Sequence, residues 1–494
     1  MAQYILAHDL GTSGNKASLF LDEGKLMGSK TVSYGVHYFG DNCAEQNPQD
    51  WWRAVCDSTK ALLEESKVDP KEIKTVSFSG QMMGCLCVDA DGNPLRSSII
   101  WADQRAKEQA KAIEEHISQE EYYKIVGHRN VASYGIQKLM WVRDHEPEIY
   151  AKTYRVLNAK DYIVFCLTGE FCTEYSDANS MGCFDLKNLC WSEKLMGYAG
   201  IDMEKLPKLH ASTYVAGEVT KEAAKETGLC PGTTVVLGAG DGVAANVGAG
   251  SVKPGKSFCC LGTSAWVATT TEKPVFDESM RTVCWAHAVP GCYSPNATMQ
   301  YAGGSYSWFK KTFCEELSYQ DMDKEIASSP AGSNGVIFLP YLLGERAPRW
   351  NPKAKGAFVG MDANTSRADM IRSVLEGVTM NLNVCLDIIK KQCDIPDMLA
   401  IGGGAKGAQW RQIMADIYQI PVQVPVYLEE ANSMGAAVIG GVGSGIYKDF
   451  DAIDRFLDIS SVVMPRVENS QVYASVKELF NSCYDNLVPV YAKM

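Results

Sequence analysis

The chain of 494 residues lacks long hydrophobic runs, and no stretch approaches the roughly 20 apolar residues of a membrane-spanning helix. Residues 1–4 lack the basic start and apolar core of a secretory signal peptide, so we expect a cytoplasmic protein with no membrane partner. No run or stripe of Lys and Arg occurs, and the formal net charge is −12. This acidic balance argues against a nucleic-acid partner.

Histidine is scarce, with 7 residues, and no two cysteines have the C-x-x-C spacing of a zinc or redox motif. Cys284 and His287 alone have metal-like spacing, and no second pair accompanies them. The 17 cysteines are scattered, which favours buried, reduced thiols in a cytosolic protein. The pattern therefore argues against a zinc site.

What the chain does contain is a repeated tetrapeptide, Leu-Gly-Thr-Ser, at 10–13 and again at 261–264. Each copy lies between two short apolar runs, the pattern of a tight strand hairpin whose backbone N–H groups can converge on an anion. Lys16 follows the first turn and either reaches a phosphate or stays solvated. Two such hairpins half a chain apart predict a duplicated α/β unit that grips a polyphosphate from both sides.

Each half of the chain also repeats one plan: a strand hairpin, then helices, then a late strand that runs into glycines before a helix. The late strands are 233–237 in the first half and 398–401 in the second. The length and the 46% content of hydrophobic residues suffice for two cores. We place the boundary in the Gly/Pro-containing joint after 250, which predicts domains of 1–250 and 251–494.

Two aspartates beside glycine-rich turns carry the candidate chemistry. Asp241 lies between Gly240 and Gly242 at a predicted helix start, where it either caps the helix or accepts a proton from an attacking hydroxyl. Asp9 precedes the first hairpin, where it either caps its own turn or holds Mg²⁺ beside a phosphate cradle. Residues 250–257 have the letters of a P-loop, but they follow a predicted helix and lead into a strand, which reverses the required order.

Taken together, the motifs resemble those of the FGGY carbohydrate kinases in the actin/hexokinase-like superfamily, and specifically the xylulokinases. The likeness covers nearly the whole chain, and several matches in the correct order are far more specific than any one. The segments that carry it are 9–16 (DLGTSGNK), 45–48 (EQNP), 80–84 (GQMMG), 101–105 (WADQR), 160–162 (KDY) with 168–170 (TGE), 240–242 (GDG), 261–264 (LGTS), 339–341 (LPY) with 344–346 (GER), 356–360 (GAFVG) through 373–376 (SVLE), and 402–404 (GGG).

The resemblance implies an α/β fold of two RNase H-like domains, related by internal duplication, with a cleft between them. By the same resemblance Asp241 is the catalytic base and Asp9 organises Mg²⁺ and phosphate. The sugar would meet residues of the first domain, namely Gln81, Met82, Met83, Trp101, Arg105, Asp241 and Gly242. ATP would meet both turns and later glycines, namely Thr12, Ser13, Lys16, Gly262, Thr263, Gly303, Gly403 and Gly404.

The chain departs from the xylulokinase pattern at Met83, where histidine is usual, and at Gly242, where asparagine is usual. Losing two polar groups from a site that binds hydroxyls is expected to change which hydroxyl pattern is accepted.

The expected function is ATP-dependent phosphorylation of a terminal hydroxyl of a small ketose, D-xylulose foremost, in xylose metabolism. L-xylulose, ribulose, a tetritol or a modified sugar are alternative substrates. An alternative of another class is an actin-fold protein that binds ATP without sugar kinase activity. The resemblance also suggests a homodimer.

Overall fold

A computed structural model describes residues 3–40 and 42–494, and its two largest sheets have seven strands each. The first sheet contains β1 Tyr4–Leu10, β2 Gly14–Leu21, β3 Leu26–Ser33, β4 Ile73–Gly80, β5 Val215–Glu218, β6 Thr234–Val236 and β7 Ala239–Gly240. Its order is β5-β6-β4-β1-β2-β3, with β7 also paired to β4. The second sheet contains β8 Ser257–Leu261, β9 Ala265–Thr269, β10 Val283–Ala286, β11 Tyr293–Met299, β12 Met398–Ile401, β13 Val422–Pro425 and β14 Ile459–Val463. Its order is β10-β11-β9-β8-β12-β13-β14.

Helices cover the sheets, and short strands pair with one another in the connecting segments. The helices are α1 Pro48–Ser66, α2 Lys107–Glu114, α3 Gln119–Val126, α4 Gly135–His145, α5 Pro147–Lys152, α6 Ala159–Thr168, α7 Tyr175–Asn179, α8 Glu193–Ala199, α9 Lys221–Thr227, α10 Asp241–Gly248, α11 Gly303–Phe313, α12 Tyr319–Ile326, α13 Arg367–Lys390, α14 Ala408–Tyr418, α15 Ala431–Gly443 and α16 Ser470–Tyr491. The short strands are His37–Phe39, Cys43–Gln46, Leu86–Val88, Ser98–Ile99, Arg155–Leu157, Cys172–Glu174, Phe184–Asp185, Cys190–Trp191, Lys208–His210, Ile337–Leu339 and Ala357–Val359. Within the described part of the chain, no helix is both long and apolar enough to cross a membrane.

The two halves share one sheet topology, which confirms the predicted duplicated α/β fold. β1 pairs antiparallel with β2 through the first Leu-Gly-Thr-Ser turn and parallel with β4. β8 pairs antiparallel with β9 through the second copy and parallel with β12. The predicted equivalence of the late strands is wrong, because β12 takes the place of β4 beside the hairpin, whereas β6 lies one strand further out.

Local sequence signals account for several element boundaries. The Asn47 side chain accepts a hydrogen bond from the Gln49 N–H, and Pro48 is the first residue of α1. Ser366 and Asp369 form the capping box that starts α13. Residues 250–257 join the end of α10 to β8, so the P-loop letters stand in the helix-to-strand context that the sequence predicts.

α10 and α15 occupy equivalent places in the two halves and cross in close contact between the sheets. A Cβ on Gly435 would lie 1.9 Å from the Ala244 carbonyl oxygen, and one on Gly248 would lie 1.7 Å from that of Ala431. Only glycine permits such an approach of two helix backbones. Apolar side chains of both helices, including Val247 and Met434, pack around the crossing in one buried cluster.

We predict that Gly435→Ala lowers the free energy of unfolding by at least about 3 kcal/mol, because the added methyl forces the two helix backbones apart. Gly197→Ala is the matched control, since a Cβ at this exposed position in α8 meets nothing within 4 Å. The control is expected to be neutral or slightly stabilising. Urea unfolding of both variants measures the difference, and equal midpoints would contradict the role given to the crossing.

Candidate active site

The first hairpin turn is braced by side chains from elsewhere in the first half. The Thr12 carbonyl oxygen accepts a hydrogen bond from Gln46 Nε2 at 2.7 Å, and Thr12 Oγ1 accepts one from Trp101 Nε1 at 2.8 Å. The Tyr34 hydroxyl donates to the Gly11 carbonyl oxygen at 2.6 Å. Ser13 at the tip remains exposed. The turn is thus held in place while its tip stays open to a ligand.

The second turn is braced by the start of α11. The Gly303 N–H donates to the Gly262 carbonyl oxygen at 3.0 Å, and the N–H groups of Ala302 and Gly304 both donate to that of Thr263. A Cβ on Gly303 would lie 2.4 Å from the Gly262 oxygen, so this contact requires glycine. The Thr263 residue is exposed, as Ser13 is at the first turn.

A cavity of about 550 Å³ lies beside the second turn and brings five predicted nucleotide contacts together. They are Gly262, Thr263, Gly303, Gly403 and Gly404. A Cβ on Gly403 would meet nothing within 4 Å, so bare backbone faces open space there. The size and the mixture of apolar and polar walls suit a small organic ligand.

Sequence reasoning missed most of the side chains that line this cavity. Tyr306 lies on α11, Tyr319 and Asp323 lie on α12, and Trp410 lies on α14. Asp323 Oδ1 accepts a hydrogen bond from the Gln409 N–H at 3.2 Å and so joins α12 to the start of α14. The aromatic rings belong to no motif, and only the three-dimensional packing brings them to one wall.

Asp241 is the first residue of α10 and follows β7 directly. Its Oδ1 accepts a hydrogen bond from the Gly242 N–H at 2.7 Å. Burial, together with the nearby Asp9 carboxylate, raises the pKa of Asp241 to about 7. A carboxyl group with this pKa is suited to exchange protons near neutral pH.

Asp9 lies near the end of β1, where both halves of the chain contact it. Its Oδ1 accepts hydrogen bonds from Ser79 Oγ at 2.8 Å and from Asn432 Nδ2, on α15, at 3.1 Å. Its Oδ2 has no hydrogen-bond partner among residues 3–40 and 42–494. A carboxylate oxygen left free beside a turn is the kind of ligand that Mg²⁺ takes from a protein.

Lys16 lies across the hairpin from Asp9, and its ammonium group is bound to the second half of the chain. Its Nζ lies 2.9 Å from Glu430 Oε2 and donates to the Glu429 carbonyl oxygen at 3.0 Å. This ion pair ties the first hairpin to the residues just before α15. Its role as an ATP contact stays a prediction.

The predicted sugar loop follows β4 and lies against the start of α10. Gln81 is buried, its Nε2 donates to Gln46 Oε1 at 2.7 Å, and its own Oε1 is buried without a partner within the described structure. Met82 packs on Gly240, where a Cβ would lie 2.6 Å from its Cγ. Met83 has a φ of 62°, a left-handed conformation that is strained for this residue. The unpaired oxygen of Gln81 is suited to accept a hydrogen bond from a hydroxyl.

Lys138 holds this loop, a role that sequence reasoning missed. Its side chain is buried, and its Nζ donates to the carbonyl oxygens of Met83 at 2.8 Å and Ile100 at 2.7 Å. Burial lowers the pKa of Lys138 to about 7. Ile100 directly precedes Trp101, so one ammonium group bridges the two segments that carry predicted sugar contacts.

The remaining predicted sugar residues differ in their exposure and in the contacts that they already make. Trp101 is 41% exposed. The Arg105 guanidinium lies 2.7 Å from Asp103 and 2.8 Å from Glu45, so its charge is already compensated. A Cβ on Gly242 would meet nothing within 4 Å, which means that open space stands where xylulokinases usually place an asparagine side chain.

A buried charged network lies beneath the site and positions Gly240. Lys160 pairs with Asp161 at 2.8 Å and with Asp177 at 3.0 Å, and burial raises the pKa of Asp177 well above its usual range. Ser176 Oγ accepts a hydrogen bond from the Gly240 N–H at 2.9 Å. The sequence marks only the Lys160 motif, and nothing in it indicates the Ser176 contact.

The GER motif places a second buried carboxyl and a cation at the side of the second sheet. Glu345 accepts hydrogen bonds from Asn381 Nδ2 at 3.0 Å and from the Arg346 N–H at 2.8 Å, and burial raises its pKa to about 7. The Arg346 guanidinium lies near Tyr134 of the first half, and its buried Nε has no partner in the described part of the chain.

The chain is similar to known carbohydrate kinases over nearly its whole length. A model of the FGGY family of carbohydrate kinases, N-terminal domain, matches residues 4–248, and the C-terminal domain model of the same family matches residues 257–444. A xylulose kinase of Staphylococcus epidermidis is 32% identical over 484 residues, which cover 98% of this chain and 96% of that protein. A gluconokinase of Bacillus licheniformis is 32% identical over 496 residues, which cover 97% of this chain and 95% of that protein. The structure of ligand-bound xylulose kinase from Lactobacillus acidophilus is 28% identical, with a TM-score of 0.94 over 99% of both chains. The chain belongs to the FGGY family of carbohydrate kinases.

Proposed function

We propose that this carbohydrate kinase transfers the terminal phosphoryl group of Mg-ATP to a terminal hydroxyl of a small ketose, with D-xylulose as the foremost candidate. The observation that carries the proposal is the Asp241 carboxyl, whose pKa is raised to about 7 beside Asp9 and next to the sugar loop. The likeness to the S. epidermidis xylulose kinase supports D-xylulose. On this account residues 1–250 mainly hold the sugar and residues 251–494 mainly hold the nucleotide.

The residues present fit Mg-ATP. The cavity beside Gly403 and Gly404 would hold the nucleoside, and the turns at 11–13 and 262–264 would hold the phosphates through backbone N–H groups and the hydroxyls of their exposed tips. The free Oδ2 of Asp9 would hold Mg²⁺ directly or through water. When bound, Mg-ATP supplies the phosphoryl group and the metal charge that its transfer needs.

The chain's own residues prepare the hydroxyl for attack. Asp241 accepts the hydroxyl proton, and Asp9 helps to hold the pKa of Asp241 near neutrality. Gln81 Oε1 accepts a hydrogen bond from the sugar, while Met82 and Met83 pack against its carbon chain. Closure of the two halves excludes water, which would otherwise consume ATP.

Gluconate, a sugar acid, is a second candidate substrate. Relatives named gluconokinase match this chain as fully as those named xylulose kinase do. The specific observation in its favour is Arg346, a half-buried cation near Tyr134 whose Nε lacks a partner among the described residues. A guanidinium in this state is suited to pair with a carboxylate. Family membership argues against an ATP-binding protein without kinase activity.

Asp241→Asn is expected to lower kcat by about 10²- to 10⁴-fold, because the amide cannot accept the hydroxyl proton. Binding of an ATP analogue should stay within about twofold, since the proposed nucleoside cavity is lined by the other half of the chain. Asp91→Asn, an exposed position with no side-chain hydrogen bond in the described structure, is the matched control. Near-normal turnover of the Asp241 variant in a coupled ADP-release assay would remove Asp241 from the role of base.

The pH profile of kcat/KM for Mg-ATP, which reports the protein before Mg²⁺ binds at Asp9, should show an acidic limb near pH 7. Below this pH the Asp241 carboxyl is protonated and cannot act as a base, so the rate falls about tenfold per pH unit. Asp9→Asn removes a like charge, which lowers the pKa of Asp241 and moves the limb to lower pH while it weakens the use of Mg²⁺. A limb that stays in place in this variant contradicts the coupling of the two aspartates.

A coupled ADP-release assay across ketoses, polyols and sugar acids decides the substrate, with Asp241→Asn protein as background. If D-xylulose is the substrate, Arg346→Met should change its kcat/KM by less than about threefold. If gluconate is the substrate, the same variant should lose about tenfold or more, because it removes a charge-assisted hydrogen bond to the carboxylate. Preference for L-xylulose, ribulose or a tetritol over both compounds overturns the proposed substrate but leaves the kinase assignment intact.

A further inference from the structure

A second cavity, of about 330 Å³, lies between α13, α16 and the segment that follows the GER motif. It shares no residue with the cavity beside the second turn. Its walls contain four basic side chains and a single acidic one, in a chain whose net charge is −12. The lining residues are Arg281, Arg349, Val384, Asp387, Ile388, Lys391, Lys477 and Asn481.

Two of the four cations have no carboxylate partner in the described part of the chain. Arg281 pairs with Asp277 at 2.7 Å, and Lys477 pairs with Asp387. Arg349 and Lys391 form no ion pair within residues 3–40 and 42–494. The cavity therefore carries an excess of about two positive charges at neutral pH.

Arg349 is held rigidly by neutral groups. Its Nε donates to the Tyr341 hydroxyl at 3.1 Å, and its Nη2 donates to Asn481 Oδ1 at 2.6 Å. Its guanidinium also stacks on the Tyr484 ring, 4.3 Å from the centroid. Its Nη1 has no hydrogen-bond partner in the described structure, so one edge of a fixed planar donor group remains available.

We propose that this cavity is a binding site for the phosphate group of a small phosphorylated metabolite, separate from the catalytic cleft. A preorganised guanidinium beside unpaired ammonium charge is the donor set that phosphate monoesters require. The cavity volume falls within the range of small-ligand sites. Arg349 would donate hydrogen bonds to the phosphate from a fixed orientation. Lys391, which is exposed at the rim of the cavity, would add a positive charge on a flexible side chain.

Isothermal titration tests the proposal, with the full-length protein kept saturated by a magnesium complex of a non-hydrolysable ATP analogue. The analogue occupies the phosphate-binding turns of the cleft, so they do not compete for the probes. The probes are inorganic phosphate and D-ribose 5-phosphate, and uncharged D-ribose is the blank. We expect one saturable site for the phosphate-bearing probes and none for D-ribose. Tighter binding of ribose 5-phosphate would identify a sugar phosphate as the ligand, and equal binding would identify phosphate itself.

Lys391→Gln and Arg349→Gln should each weaken this binding about tenfold or more. Lys60→Gln, which removes the same charge from an exposed position on α1, should leave it unchanged. Lys391 is exposed and unpaired in the described structure, so its variant keeps the test valid if Arg349→Gln does not fold. Absence of saturable binding, or unchanged affinity in the Lys391 variant, would overturn the proposal.

Discussion

The close crossing of α10 and α15 is the constraint on which the rest of the site depends. Glycines at the crossing let the two helix backbones come so close that a single added methyl group does not fit between them. α10 begins with Asp241, and the start of α15 supplies Asn432 to the Asp9 carboxylate. β1 and β7 both pair with β4, which brings Asp9 and Asp241 together at one end of the first sheet, and burial together with their mutual repulsion raises the pKa of Asp241 to about 7.

The two halves contribute different chemistry although they share one topology. In the first half, Ser176 fixes Gly240 directly before Asp241, and Lys138 separately fixes the loop at Met83. The second provides an open wall of glycine backbone and aromatic rings. On the proposed function, rigid residues would hold the general base, because proton transfer requires a closely defined geometry. The wall proposed to hold the nucleotide would need mainly space and exposed backbone.

The sequence predicts the features that depend on neighbouring residues. The hairpins, the capping box at Ser366 and the placement of Asp241 at a helix start all follow from local patterns. Contacts between distant residues could not be predicted in this way. Lys16 pairs with Glu430, which lies 414 positions further along the chain, so no local pattern indicates that its charge is engaged. The tyrosines of the cavity beside the second turn and the Ser176 contact depend on packing in the same way. The mistaken equivalence of late strands arose because the order of strands in a sheet is not visible in their spacing.

A crystal structure with Mg²⁺ and a non-hydrolysable ATP analogue tests the central claim most directly. The account predicts a triphosphate held between the turns at 11–13 and 262–264, with its terminal phosphorus facing Asp241 and the metal next to Asp9. A triphosphate bound away from both turns, or directed away from Asp241, would contradict it.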